Sequence, residues 1–369
     1  MKSVKLLIAA ILLSAAATCT PKQEPANERI VLAYVTSWSR IMPDPNYVTH
    51  INYAFGHVNA TFDGVVFARP NSEGVVNETS ARNSEERLRS IVALKQQNPN
   101  LKVLISIGGW GSGNFSEMAA DPVKRLAFAA DCQRLILEFG LDGIDSDWEY
   151  PTSSAARISA TPEDKNNFTL MMRDIRNAIG PNKLLTFASA ANAQYVDFAA
   201  VEPYVNFINI MNYDNAQGNG HHAAMHRSEF VRSNPNDESV ERHVEQGVPI
   251  EKLVLGIPFY GRGRDSIQGY THFENIIVRD NIRGVGLIQG RNIIHLIGHR
   301  DMWDDVAKVP YWVDSEGKFV FTYENVRSIE YKTAWLKQRG MLGAMYWEYS
   351  LDDAEGSLRK AVWYGVMSE

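Results

Sequence analysis

The chain has 369 residues and a formal net charge of -6. It carries no block of lysine and arginine, which argues against nucleic acid as a partner. Eight tryptophans and an aromatic content of 10% suit a surface that stacks on sugars, though a large core would use them equally well.

Taken in order, the chain opens like a bacterial export signal. Met1 to Lys5 is basic, Leu6 to Leu13 is a short apolar run, and Ser14 to Thr18 are small residues ahead of Cys19. The apolar run is too short to read as a membrane span. Residues 1–19 are therefore expected to be a signal peptide and 20–29 a polar tether. Ala15 to Ala17 would suit ordinary cleavage and a secreted soluble product. Cys19 after an imperfect lipobox suggests instead a lipidated N-terminus and membrane attachment, at the periplasmic side or the cell surface. Only Cys132 then remains in the body of the chain, so no internal disulfide is expected.

From Ile30 onward, apolar runs alternate with amphipathic stretches, the pattern of a parallel sheet with crossover helices. Strands are expected at Ile30–Tyr34, His50–Phe55, Lys102–Ser106, Leu184–Ser189, Phe207–Met211, Leu253–Ile257 and Gly343–Trp347, with the acidic run near Asp145 supplying an eighth. Helices are expected over Ser84–Gln97 and Ser328–Arg339. Another is punctuated by Asp121 as N-cap, Pro122 at its first position and Gly140 as terminator, and one more opens at Thr161-Pro162 and ends at Gly180. Eight strands with intervening helices predict an α/β (β/α)8 TIM barrel, in two stretches, 30–263 and 324–369. Residues 264–323 break the rhythm with short aromatic runs and one helical signal near His299–Val306. A crossover needs far fewer residues, so they are read as a small α+β insertion between the seventh and eighth strands.

The fourth strand carries most of the chemistry. Asp142, Asp145, Asp147 and Glu149 fall within eight positions, flanked by glycine and large apolar residues. In a strand, side chains alternate, so Asp145, Asp147 and Glu149 share one face while Ile144, Ser146 and Trp148 take the other. Three stacked acids on a buried face raise one another's pKa and retain a proton near neutral pH, as a general acid must. A calcium or magnesium site, or a plain acidic loop, is the competing reading of the residues alone.

The spacing Asp142-x-x-Asp145-x-Asp147-x-Glu149, followed by Tyr150-Pro151 and containing Trp148, resembles the D-x-x-D-x-D-x-E signature of glycoside hydrolase family 18 in its chitinase form. Other strand ends join it, at the barrel face where active sites lie. They are Ser106-x-Gly108-Gly109-Trp110, Met211-x-Tyr213-Asp214, Tyr260-x-Arg262 and Trp347, and in this order the resemblance covers nearly the whole chain. It implies a retaining hydrolase of chitin or another N-acetylglucosamine oligosaccharide in which the substrate's acetamido group is the nucleophile. It also implies no cofactor and no metal, and the protein is expected to be a monomer.

By position, the resemblance makes Glu149 the acid/base, Asp147 the orienter of the acetamido group and Asp145 the partner sharing a proton with Asp147. Tyr213 would donate to the acetamido oxygen, Asp214 would bond the sugar or the acid's surroundings, and Trp347 would be the floor beneath the reacting sugar. Tyr34 and Ser106 fall where the family supports the aspartates. Trp110 and Arg262 would meet neighbouring sugars, and Tyr260, Met211, Phe55 and Gly109 complete the expected lining. Asp142, out of register with the inward face, is read as structural.

Two further readings stay open. Ser146 and the short insertion depart from the commonest chitinase pattern, which leaves room for an endo-β-N-acetylglucosaminidase acting on N-glycan cores. A non-catalytic, lectin-like glycan binder is the other, but such relatives generally lose the terminal acid, and Glu149 is present. His221 and His222 with His226, and His295 with His299, are not taken as metal ligands, because a supporting acid pair or a zinc-helix glutamate is missing from the pattern.

Overall fold

A computed structural model describes residues 29–216, 220–263, 268–270 and 300–368. The proposed signal, tether and Cys19 lie outside the described residues, as do His295, His299 and much of the segment between Arg262 and Arg300. The strands are β1 (Ile30–Thr36), β2 (His50–Val58), β3 (Val65–Val66), β4 (Lys102–Gly108), β5 (Gly143–Asp147), β6 (Leu184–Ala190) and β7 (Phe207–Met211). They continue with β8 (Leu253–Pro258), β9 (Tyr260–Gly263), β10 (Gln268–Tyr270), β11 (Arg300–Asp304), β12 (Val309–Val313), β13 (Phe319–Thr322) and β14 (Gly343–Trp347). The longer helices are α1 (Glu78–Val92), α2 (Phe115–Ala120), α3 (Pro122–Phe139), α4 (Asp164–Ile179), α5 (Phe198–Val201), α6 (Asn236–Glu245), α7 (Val326–Arg339) and α8 (Ser357–Met367).

Strands β1, β2, β4, β5, β6, β7, β8 and β14 are parallel neighbours, and β1 pairs with both β2 and β14 to close the barrel. The (β/α)8 TIM barrel expected from the sequence is the observed fold. Alternation along the strands separates two layers. Val31, Ala33, Ile51, Val103, Ile105, Ile144, Leu185, Ile208 and Leu255 face outward under the helices, whereas Ile30, Leu32, Tyr34, Ala54, Ala188, Met211 and Met345 pack inside. Trp148 joins the outer layer, stacked on Phe115 at 5.3 Å.

Local rules set the helices. Asp121 caps α3 by accepting from the Val123 amide at 2.8 Å, Pro122 follows at the first position, and Gly140 ends the helix in a left-handed conformation at φ 68°. Asn325 and Ser328 form a reciprocal capping box on α7. That box starts α7 at Val326, two residues before the expected Ser328, and two further expected starts move. Helix α1 begins at Glu78, because Asn77 caps it by accepting from the Ser80 amide. Helix α4 begins at Asp164, since the Asp164 carboxylate accepts from the amide and hydroxyl of Thr161 and holds Thr161 in a turn ahead of the helix.

A second sheet, ordered β10-β9-β13-β12-β11 and antiparallel, stands beside the barrel mouth immediately after β8. Its strand β11 replaces the helix expected near His299–Val306. Asp304 does cap the amides of Val306 and Ala307, at 2.9 and 2.8 Å, as a helix start would. The turn then closes through the Lys308 amide on the Asp304 carbonyl, and the chain returns as β12. One capped turn produced the helical signal.

Candidate active site

The inward residues of the barrel become polar one layer below its mouth. Asp145, on β5, is fully buried and takes four donors from four other strands. The Tyr34 hydroxyl (2.9 Å) and Ser106 hydroxyl (2.8 Å) reach Oδ2, and the Thr186 hydroxyl (2.5 Å) and Asn209 amide (3.2 Å) reach Oδ1. Burial raises its carboxyl to about 6 in spite of these donors.

One inward step along β5 lies Asp147. It is also buried, and its Oδ1 has no hydrogen-bond partner among the described residues. Burial, then the charges of Glu149 and Asp145, push it well above the usual carboxylate range. Glu149 follows just past the strand end and is partly exposed. Burial raises it to about 7; Asp214 adds to the rise, while donors from Tyr150 and the Trp110 amide and the charge of Arg69 oppose it. Asp147 and Glu149 are thus held well above the ordinary carboxylate range, and Asp145 more moderately. The four hydroxyl and amide donors hold the Asp145 carboxyl in place beneath Asp147.

The tight passage of strand β4 over this cluster requires glycine. A Cβ on Gly108 would sit 2.0 Å from the Asp147 carbonyl, and Gly109, at φ 90°, donates its amide to that same oxygen at 2.9 Å. A Cβ on Gly109 would come within 2.6 Å of the Phe55 ring. Phe55 in turn stacks on Trp347 (5.6 Å, 19° between planes), which also meets Tyr34 at 5.5 Å. Trp347 is half-buried, with this aromatic group under one face and Met211 and Tyr213 packed in the same cluster. Peptide bonds Ala54–Phe55, Glu149–Tyr150 and Trp347–Glu348 are cis.

Tyr213 also packs edge-on against Tyr260 at 6.0 Å, and its hydroxyl is pushed well up by burial and by Asp147 and Glu149. Asp214 is clamped by Arg262 through two bonds of 2.7 and 2.9 Å, and the Arg262 guanidinium lies 5.0 Å over the Tyr260 ring. Burial opposes ionisation of Asp214, but His222 and Arg262 outweigh it and hold the carboxyl below its ordinary range. Arg262, expected to meet a neighbouring sugar, is therefore engaged with Asp214. Asp142 sits at the far end of β5, accepting from the Val103 amide at 2.8 Å and pairing with Lys95.

The histidine pair needs correction. The sequence placed His221 and His222 in a loop without acid support, yet both are buried and each has an acidic partner. His221 bridges Thr322 (3.0 Å) and Asp304 (3.1 Å), and His222 lies 3.6 Å from Asp214. The partners of His221 are far away in the chain, and Asp214 stands eight positions before His222, both outside any helix or strand, so local pattern showed neither pairing. No group of three or more potential metal ligands forms among the described residues.

Three further cleft residues were missed from the sequence. Arg69 donates to the Trp110 carbonyl at 2.8 Å, Tyr195 stacks on Tyr150 (4.7 Å, 7°), and Trp38 stands 67% exposed beyond β1, 6.4 Å from Phe55. Only Trp38, an aromatic just past a strand end, could have been suspected. With exposed Trp110, these rings give the mouth aromatic faces around an acid centre, a surface matched to pyranose rings.

A family model described as "Glycosyl hydrolases family 18" matches residues 30–352. "Chitinase A1" of Niallia circulans is 31% identical over 403 positions, which cover 89% of this chain and 57% of that protein. Among solved structures, chitinase ChiW of Paenibacillus sp. FPU-7 superposes with a TM-score of 0.77 at 30% identity, over 92% of this chain and 43% of that one. A family 18 N-acetylglucosaminidase of Paenibacillus barengoltzii gives 0.72 at 30%, over 92% of this chain and all of that one. The chain thus spans about half the length of the first two relatives.

Proposed function

The chain belongs to glycosyl hydrolase family 18, and on that premise we propose that it is a chitinase. It cleaves β-1,4 linkages between N-acetylglucosamine units with retention, using the substrate's own acetamido group as nucleophile. The observation that carries this reading is the pair formed by Asp147 and Glu149. One is a buried carboxyl with an unpartnered oxygen, and the other is a half-open carboxyl that keeps its proton to about pH 7.

In this mechanism the acetamido carbonyl oxygen attacks the anomeric carbon as the glycosidic C–O bond breaks. Glu149 delivers its proton to the departing oxygen. The positive oxazolinium ring carries an N–H, and Asp147 Oδ1 is the acceptor it meets; that positive charge favours the ionised form of Asp147. Tyr213 donates to the acetamido oxygen and holds it in line. Glu149, now a base, deprotonates a water that attacks the anomeric carbon, which reopens the ring and restores the β-configuration. Asp145 shares a proton with Asp147 and keeps it as Asp147 ionises against the oxazolinium N–H. Trp347 stacks under the reacting sugar. We further propose export directed by residues 1–19, with Cys19 as the lipid attachment point, a reading that rests on the N-terminal sequence alone.

The test is a product profile on N-acetylglucosamine oligomers and, in parallel, on a high-mannose glycoprotein. Shortened oligomers appearing first as β-anomers, with turnover lost but binding kept in Glu149→Gln, are the expected result. Release of glycan from the glycoprotein with one sugar left behind would move the substrate to N-glycan cores. Oligomer binding without cleavage by the wild type would make the protein a lectin.

A further inference from the structure

Arg69 follows the short strand β3 and lies exposed at the rim of the cleft. Its Nη2 donates to the Trp110 carbonyl at 2.8 Å, and its Nη1 lies against Gly111, where a Cβ would come within 3.2 Å. The indole of the same Trp110 stands edge-on to Tyr150, the residue after Glu149, at 6.4 Å, so this turn sets the guanidinium on the side of the acid. Among the acids of the cluster, Glu149 alone acts on Arg69. Tyr213, by contrast, lies in the fields of Asp145, Asp147, Asp214 and Glu149 together. Arg69 therefore stands on the Trp110 side of the cleft, held to the turn that flanks Tyr150. No carboxylate of the described residues lies within salt-bridge distance of its guanidinium, so the charge faces ligand and solvent.

Substrate-assisted chemistry demands an acetamido group on the sugar that is attacked, but it is indifferent to the substituent on the sugar that leaves. Any discrimination there has to come from binding. We propose that Arg69 is a specificity-determining residue on the leaving-group side, admitting a neutral N-acetylated sugar next to the scissile bond and rejecting one with a free ammonium group. This rests on the reading of Glu149 as the acid, since it is Glu149 that places the leaving sugar beside Arg69. Two like charges about 6 Å apart in a water-like medium disfavour each other roughly threefold, and more where the cleft excludes water.

The experiment digests a partly deacetylated chitosan with the full-length protein at pH 6, where its glucosamine units are protonated. The sugar at the new non-reducing end of each product, which is the former leaving sugar, is then identified. Wild type should leave N-acetylglucosamine there in roughly threefold excess over the proportion in the polymer. Arg69→Gln should raise the ratio of glucosamine to N-acetylglucosamine there roughly threefold, and Arg69→Lys should restore the wild-type pattern. The readout is a ratio within one digest, so a lower overall rate cancels. Glucosamine at those ends in the wild type at the polymer's own proportion overturns the proposal even if the variant does not fold, and so do matching ends in wild type and Arg69→Gln. A fully acetylated hexamer left intact by the wild type would instead sink the activity reading, and this inference with it.

Discussion

Replacing Glu149 by Gln should remove turnover and at the same time stabilise the protein, but only above about pH 5. The folded state raises this carboxyl from 4.5 to about 7, chiefly through burial and then through Asp214. Below the ordinary value, both folded and unfolded chains carry the proton, and the side chain contributes no pH dependence. Between there and neutrality the unfolded chain ionises while the folded one does not, so stability falls by about 1.4 kcal/mol for each pH unit. Above neutrality the loss levels off near about 3 kcal/mol, a penalty the neutral amide never meets. Asp147, held high by burial and by Glu149, relaxes in the variant and adds to the gain. Thermal unfolding of both proteins at pH 4.5 and pH 8, at one scan rate, reads the difference. The expected gain is small at the lower pH and roughly 5 °C at the higher. An equal difference at both pH values, or a less stable variant at pH 8, would show that the folded site does not strain this carboxylate.

Two other outcomes follow from the same geometry. On a neutral oligomer, kcat/KM should fall above about pH 7 as Glu149 loses its proton in the field of Asp147, Tyr150, Asp214 and Arg69; Asp214→Asn should bring that fall to lower pH, and an unmoved profile would detach Asp214 from the acid. Gly109→Ala should cost about 2–4 kcal/mol in a denaturant titration, because it combines a left-handed backbone with a methyl driven into Phe55. It should also raise KM, since Phe55 supports Trp347; unchanged stability and KM would refute the packing account.

Much of the barrel was legible because its information is local. The period-two runs, the Asp121-Pro122 start and the Gly140 stop of α3 need only neighbouring residues to be understood. The same locality misled at Asp304, where a cap of good chemistry closes one turn and then yields to β12. His221 and His222 were passed over because Asp304, Thr322 and Asp214 meet them only in three dimensions. Arg69 arrives from an excursion after β2, and nothing in its neighbours marks it as belonging beside Glu149. The acid run itself was legible as chemistry, whereas the four donors around Asp145 could be located only by closing the barrel.

Those four donors have a consequence for assembly. Tyr34, Ser106, Thr186 and Asn209 come from the first strand, the middle of the chain and beyond, and they converge on a carboxylate that no segment could shelter alone. Contacts so distant in sequence form late, after the slow long-range pairings of a parallel sheet. Competence at Asp145 therefore appears only when β1 docks against both β2 and β14. Fragments split after α4 would each lack part of this shell, and function regained on mixing them would serve as a reporter for ring closure.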